Sequence, residues 1–262
     1  MRIGFLGAGR MGAPMVRRLA DAGHQVRVLG RDDEKRAAVA ELGATPVSSP
    51  REAVEGADVA IVCVFTDEQV RELCPDLLDA LSEGSILVLH TTGSPRTAEA
   101  LAEQGAARGI AVIDAPVSGG PHDIAAGTVT VFAGGPDDAV ARAREALAAY
   151  ADPVLHVGPV GAGQRVKLVN NALFAAQIGV VAEGVRLGDR LGIDEATLLS
   201  ALTHGSAASR ALGGIAATGS ADAFIARVGE FIGKDVAVVR HTASELDSDL
   251  GRLEGLLDVA IE

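Results

Sequence analysis

Apolar residues in the first half of the chain fall in short unbroken runs, at Ile3 to Leu6, Val26 to Leu29, Val59 to Val64, Ile86 to His90, Ala111 to Ile113 and Thr128 to Ala133. The intervening stretches, such as Pro14 to Ala22 and Asp33 to Glu41, carry apolar residues at helical spacing. Val- and Ile-rich strands alternating with helices predict a parallel sheet covered on both faces, and right-handed crossovers make this a doubly wound α/β fold. Beyond residue 160 the pattern changes. From about Gly163 to Arg190 there is no Pro and little Gly, and apolar residues recur at three and four. This predicts one helix of roughly 40 Å. Further helices are expected at Asp194 to Leu202, Ala207 to Ala216 and Phe231 to Ala243 or beyond. The cluster Gly158-Pro159-Val160-Gly161 reads as a linker. It divides the chain into residues 1–161, α/β, and residues 162–262, all-α. A single long helix cannot bury its own apolar face, so a homodimer through the helical part is expected.

Composition narrows the function. The 262 residues are 48% hydrophobic and 22% charged, enough for a packed core. The net charge of -12, the absence of Trp and the single Tyr give neither the basic footprint nor the stacking surface that nucleic-acid binding needs. No anionic membrane surface attracts such a chain, and its most apolar stretches, such as Val59 to Phe65, fall short of the ~20 residues of a span. The N-terminal stretch lacks the features of a signal peptide. Cys63 and Cys74 make no disulfide framework. The expectation is a soluble cytoplasmic protein with a small-molecule substrate. The six histidines form no ligand pair of known spacing, so no metal is expected.

The first run leads straight into Gly7-Ala8-Gly9-Arg10-Met11-Gly12, and a helical pattern starts at once. In G-x-G-x-x-G between a strand and a helix, the first glycine makes the turn, the second lets the backbone approach a pyrophosphate, and the third lets helix and strand pack closely. The helix start adds free N–H groups and the positive end of its dipole. The first half is therefore read as a Rossmann-type dinucleotide-binding domain. The second strand of such a domain ends in an acid where a ribose hydroxyl is read, or near an Arg where a 2′-phosphate is. Here Val26 to Leu29 runs into Gly30-Arg31-Asp32-Asp33. Gly30 takes the acidic position and Arg31 can fork onto a phosphate, which favours NADP. Asp32 stays open as a ribose contact, and NAD with it.

Asp114-Ala115-Pro116-Val117-Ser118-Gly119-Gly120 follows a strand, Gly161-Ala162-Gly163 leads to Lys167, Asn170 and Asn171, and Gly233-Lys234-Asp235 comes near the end. In this order the chain resembles the β-hydroxyacid dehydrogenase family, within the wider 6-phosphogluconate dehydrogenase superfamily, from Gly4 to about Ala243. The resemblance implies a Rossmann-type domain, a helical C-terminal domain, and reversible oxidation of small β-hydroxyacids by NAD or NADP. The residues agree at the key point. Lys167 and the two asparagines can share one helix face. Hydride transfer at a carbinol carbon needs a proton to travel with it, and a buried amine near a helix start can carry that proton. Lys167 is thus expected as general acid in reduction and general base in oxidation, with Asn171 orienting substrate or lysine; the alternative is a surface lysine.

By resemblance, Ser118, Gly119 and Gly120 would hold the substrate, Thr92 would lie beside the nicotinamide, and Arg10, Met11, Val64 and Lys234 would join the cofactor-binding set. Ser94-Pro95 reads equally as a helix start, and Lys234 and Asp235 as a structural ion pair. Ser118 is not a nucleophile of the G-x-S-x-G kind, because Pro116 stands at the first glycine. One departure touches specificity: where the family has Gly-Ala after Ser-Gly-Gly, this chain has Asp123-Ile124, behind His122. An acid beside a substrate pocket repels a carboxylate or favours an amine. Two rivals stand beside the dehydrogenase reading. One is an imine reductase of the same plan, against which Lys167 argues. The other is a cofactor-binding sensor without turnover.

Overall fold

The structure, a computed structural model, describes residues 1–259. Its contacts divide it into two compact units, Met1–Lys167 and the chain from Leu168 onward.

The first unit runs β1 (Arg2–Leu6), α1 (Gly12–Asp21), β2 (Gln25–Leu29), α2 (Asp33–Glu41), β3 (Thr45–Val47), α3 (Pro50–Val54), β4 (Val59–Val62), α4 (Asp67–Ala80), β5 (Ile86–Leu89), α5 (Pro95–Ala106) and β6 (Ala111–Asp114). It continues through β7 (Val117–Ser118), α6 (Pro121–Ala126), β8 (Val129–Gly134), α7 (Asp137–Leu147) and β9 (Ala151–Gly158). The sheet order is β3-β2-β1-β4-β5-β6-β8-β7, with β9 paired to β8. Strands β1 to β6 are parallel, β8 is antiparallel to β6 and β7, and β9 is parallel to β8. The order reverses between β1 and β4, so the loops after those strands open a crevice at their carboxyl ends, where doubly wound sheets take ligands.

Strand periodicity sorts the core into two layers. Ile3 and Phe5 of β1, Val59 and Ile61 of β4, and Ile86 and Val88 of β5 pack on one face with Met15, Leu19 and Leu147. Their neighbours Leu6, Ala60, Val62, Leu87 and Leu89 pack on the other with Val70, Leu77 and Leu101. Both faces are dry, which is why these strands are apolar at every position instead of alternating. The sequence pattern misses β3, β7 and β9. Strand β9 carries Pro153 and is largely exposed, so no apolar run marks it.

The second unit holds most of α8 (Ala162–Arg190), then α9 (Glu195–Leu202), α10 (Arg210–Thr218), α11 (Ala221–Glu245) and α12 (Glu254–Val259). Ala172, Ala175, Ile178 and Ala182 of α8 join Leu212, Ile215, Val236 and Val239 in its core. Helix α11 starts ten residues before the predicted Phe231. Ser220 caps it, accepting from the Ala223 N–H, and the interior Gly229 and Gly233, which break the periodicity, lower its propensity without ending it. By length and composition alone α8 could cross a membrane, against the expectation of no such segment, though part of it is buried in protein. Its outward side exposes Val169, Leu173, Val180 and Leu187, and Leu191 just past its end is exposed as well.

Candidate active site

The glycine turn has the shape its sequence predicts. Gly7 has φ +105°, and a Cβ there would press on the Cys63 carbonyl, so only glycine makes the turn against the β4 loop. A Cβ on Gly12 would strike the Gly7 carbonyl and come within 2.9 Å of the Phe5 ring, so its absence lets α1 pack on β1. A Cβ on Gly9 would meet nothing within 4 Å. That open position is a cradle a side chain would fill, and it fits the close approach of a diphosphate. Helix α1 has no side-chain cap and no acid in its first turn, whereas α2, α3, α4 and α5 are capped by Asp32, Ser49, Thr66 and Ser94. The Ala13 N–H donates to the Gly9 carbonyl at 2.8 Å and Pro14 carries no N–H, so the turn at Met11 and Gly12 is the part of this start that can meet a ligand. Arg10 is exposed and Met11 half-buried.

Asp32, the open ribose contact, also has a structural task. Its carboxylate accepts from the Lys35 N–H at 2.7 Å and caps α2. Arg31 is exposed at the end of β2, and Gly30 is buried.

The loops after β4 and β5 are tied together. The Thr91 hydroxyl accepts from the Val64 N–H at 3.1 Å and donates to the Val64 carbonyl at 2.9 Å. Val64 and the neighbouring Thr92, both half-buried, are set by this clasp. Beneath it His90 is neutral. Its Nδ1–H donates to the Ala115 carbonyl at 2.5 Å and its Nε2 accepts from the Tyr150 hydroxyl at 2.6 Å. Complete burial pushes the His90 imidazole down to about 4. Ser94 caps α5 with Pro95 at its first position, as the helix-start reading expects.

Two residues without an assigned role in the sequence fix the start of α8. The Asp114 carboxylate, fully buried, accepts from the Gly161 N–H at 2.6 Å and the Gln164 N–H at 2.7 Å. Burial pushes its carboxyl up to about 6, against the backbone N–H groups that hold it down. The Gln164 side chain accepts from the Gly93 N–H at 3.0 Å and donates to the Thr91 carbonyl at 2.8 Å. The first turn of α8 is thereby bracketed to the loop that carries Thr92. Lys167 follows one turn later with 9% exposure, and Asn171 one turn after that with 6%. Asn171 Oδ1 accepts from Asn170, but its Nδ2 is buried without a partner among the described residues. An orphaned buried donor costs ~1–3 kcal/mol, and a ligand acceptor removes that cost.

Ser118 ends β7, half-buried, and Gly119 is exposed. The Gly120 N–H donates to Asp123 Oδ2 at 2.7 Å, so this group, expected to face a substrate, is already engaged. Asp123 closes the start of α6, while the His122 side chain is 84% exposed. Lys234 lies on α11 of the second unit, half-buried. No group of three or more metal-ligating side chains occurs among the described residues.

Residues 2–158 match the family described as the NAD binding domain of 6-phosphogluconate dehydrogenase. Residues 161–254 match the NAD-binding family of NADP-dependent 3-hydroxyisobutyrate dehydrogenase. The chain belongs to the β-hydroxyacid dehydrogenase family. Two Pseudomonas aeruginosa relatives, a 3-hydroxyisobutyrate dehydrogenase and an NAD-dependent L-serine dehydrogenase, are 36% and 35% identical. Each alignment covers 80% of this chain and 72% of the relative. Among solved structures, the Mycobacterium tuberculosis 3-hydroxyisobutyrate dehydrogenase with L-serine superposes with a TM-score of 0.89 at 29% identity, over 99% of this chain and 92% of that one. This family member is an NAD(P)-dependent oxidoreductase acting on CH–OH groups.

Proposed function

We propose that this dehydrogenase interconverts a small β-hydroxyacid and its aldehyde or keto form, with NADP as preferred cofactor. The observation that carries the reading is the buried Asn171 Nδ2 without a partner, one helical turn beyond the buried Lys167. A polar stripe of this kind inside a protein is retained for a ligand.

The cofactor supplies the hydride acceptor or donor. Gly7, Gly9, Gly12 and the bare start of α1 would hold its diphosphate, with Arg10 and Met11 lining the turn. Val64 and Thr92 would flank the nicotinamide, and Lys234 would add a further contact. Lys167 takes the proton from the substrate hydroxyl in oxidation and returns it in reduction. Asn171 donates to a substrate oxygen and fixes the carbinol beside the amine. Ser118 and Gly119 would bind the substrate's acid group; Gly120 helps by holding Asp123. The NADP preference rests on Arg31, on the glycine at position 30 and on the engagement of Asp32 in the α2 cap.

The outward stripe on α8 would be covered by a second copy of the chain. Leu173, Val180 and Leu187 repeat every seven residues, the spacing of a helix seam. Leu173→Asp with Leu187→Asp should then halve the mass measured by light scattering; an unchanged mass removes this surface from the interface.

The activity test is a screen of short hydroxyacids, including 3-hydroxyisobutyrate and L-serine, with NADP⁺ and NAD⁺ followed separately by absorbance. Oxidation of hydroxyacids, faster with NADP⁺, is expected. Reduction of cyclic imines without oxidation of any hydroxyacid would overturn the assignment.

A further inference from the structure

The junction of β2 and α2 holds a device that the reading of Arg31 alone does not include. Arg36, on the first turns of α2, folds back onto the end of β2. Its Nη1–H donates to the Gly30 carbonyl at 3.1 Å, and its Nη2 pairs with Asp33 Oδ1 at 2.5 Å. The Arg36 side chain is only 34% exposed, whereas that of Asp33 is 99% exposed. The consequence falls on position 30. A Cβ there would lie 2.6 Å from Arg36 Cγ and 3.0 Å from both its Cα and its N. The position from which an acid reads the ribose hydroxyls is filled by the stem of an arginine.

We propose that Gly30 and Arg36 form one cofactor-discriminating lock, resting on the NADP reading above. The Arg36 stem excludes the carboxylate that would select NAD. Its guanidinium, pinned at the β2 carboxyl end, would join Arg31 on a 2′-phosphate by exchanging the exposed Asp33 carboxylate for it. Asp32, the next acid along, has its Oδ1 committed to the α2 start, where it accepts from the Lys35 N–H. Discrimination here works by rejection as well as by attraction. It follows that no single acidic substitution converts the preference: the space for the acid has to be opened first.

The test is a set of fluorescence titrations with NADPH and NADH, with 2′-AMP as a competing probe, on the wild type, Arg36→Ala, Gly30→Asp and the double variant. Arg36→Ala should weaken NADPH and 2′-AMP about tenfold and leave NADH unchanged. Gly30→Asp alone should gain no affinity for NADH. The same substitution in the Arg36→Ala background loses the 2.6 Å clash and keeps only the 3.0 Å contacts, which a small backbone shift relieves. There it should raise NADH affinity about tenfold, a coupling that independent sites do not give. An NADPH-to-NADH ratio unmoved by Arg36→Ala overturns the lock, as does an NADH gain from Gly30→Asp alone. Should Gly30→Asp fail to fold by thermal melting, the Arg36→Ala and 2′-AMP arms decide by themselves. The wild-type ratio separates the two levels. Tighter binding of NADH than of NADPH by the unaltered protein refutes the NADP reading, whereas wild-type NADPH preference with no response at residue 36 refutes only the lock.

Discussion

The same three residues lead into two helix starts of the first unit. Gly7-Ala8-Gly9 leads into α1 and Gly161-Ala162-Gly163 into α8. Their surroundings are opposite. At Gly9 a Cβ would meet nothing, whereas at Gly163 it would lie 2.7 Å from the Asp114 carbonyl and 2.9 Å from its carboxylate. At α8 the chain supplies its own anion, Asp114, and the helix start is closed. At α1 no side chain caps the helix. The lesson is that a glycine-rich helix start is a general anion receptor, and its function depends on whether the rest of the chain fills it. On the proposed reading, the filled start positions the reacting lysine and the open one receives the cofactor.

The largest expected effect lies on the helix that Asp114 closes. Lys167→Met should lower turnover about 10³-fold, the scale of a lost general acid–base group, while NADPH titration stays near wild type. Near-normal turnover removes the lysine from the chemistry. Next come the two middle glycines, which should fail differently. Gly9→Val puts a side chain into the space left for the diphosphate. It should weaken cofactor binding about 100-fold with little change in melting temperature. Gly163→Ala presses a methyl on Asp114 and on the Phe132 carbonyl. It should cost roughly 1–3 kcal/mol in chemical denaturation. If both variants lose only stability, the contrast between the two helix starts is wrong.

The smallest effect concerns pH. Asp114 has its carboxyl raised from 3.8 to about 6, so the native state holds a proton that the unfolded chain has released. This group stabilises the fold at low pH, and its contribution is lost as pH rises from about 4 to 6. His90 does the reverse. Its imidazole is lowered from 6.5 to about 4, so its contribution is complete above 6.5 and is lost as pH falls towards 4. The two slopes offset one another between about 4 and 6. Asp114→Asn should unmask the histidine, so that denaturation stability falls with acidification by about 1 kcal/mol per pH unit more than in wild type. Equal slopes in the two proteins would count against the buried Asp114 carboxyl holding its proton in this window.

The readable parts of the site are local in sequence. The glycine turn, the missing acid at position 30 and the i, i+4 spacing of Lys167 and Asn171 each lie within a few residues, where spacing alone implies geometry. The parallel sheet was legible because its strands are buried on both faces and therefore apolar throughout. What joins distant segments was not legible. Asp114 reaches Gly161 across 47 residues and Gln164 reaches Thr91 across 73, and no periodicity links them. A buried acid at a strand end followed by Ala-Pro carries no local mark of a helix cap. Asp123 fell between the two cases. Its three-residue offset from Gly120 marks a capping position, a local alternative to the substrate role first given to an acid in that loop.

The bracket made by Gln164 has a consequence for how the enzyme could change its taste without losing its reaction. The compact unit that seats the dinucleotide ends at Lys167 itself, so the proposed proton carrier is built into the same folding module as the hydride carrier's berth. Asn171 and everything after it belong to the other module. A change confined to Leu168 and beyond would leave intact the ties that hold this module's own helix start, from Asp114 to Gly161 and from Gln164 to Thr91.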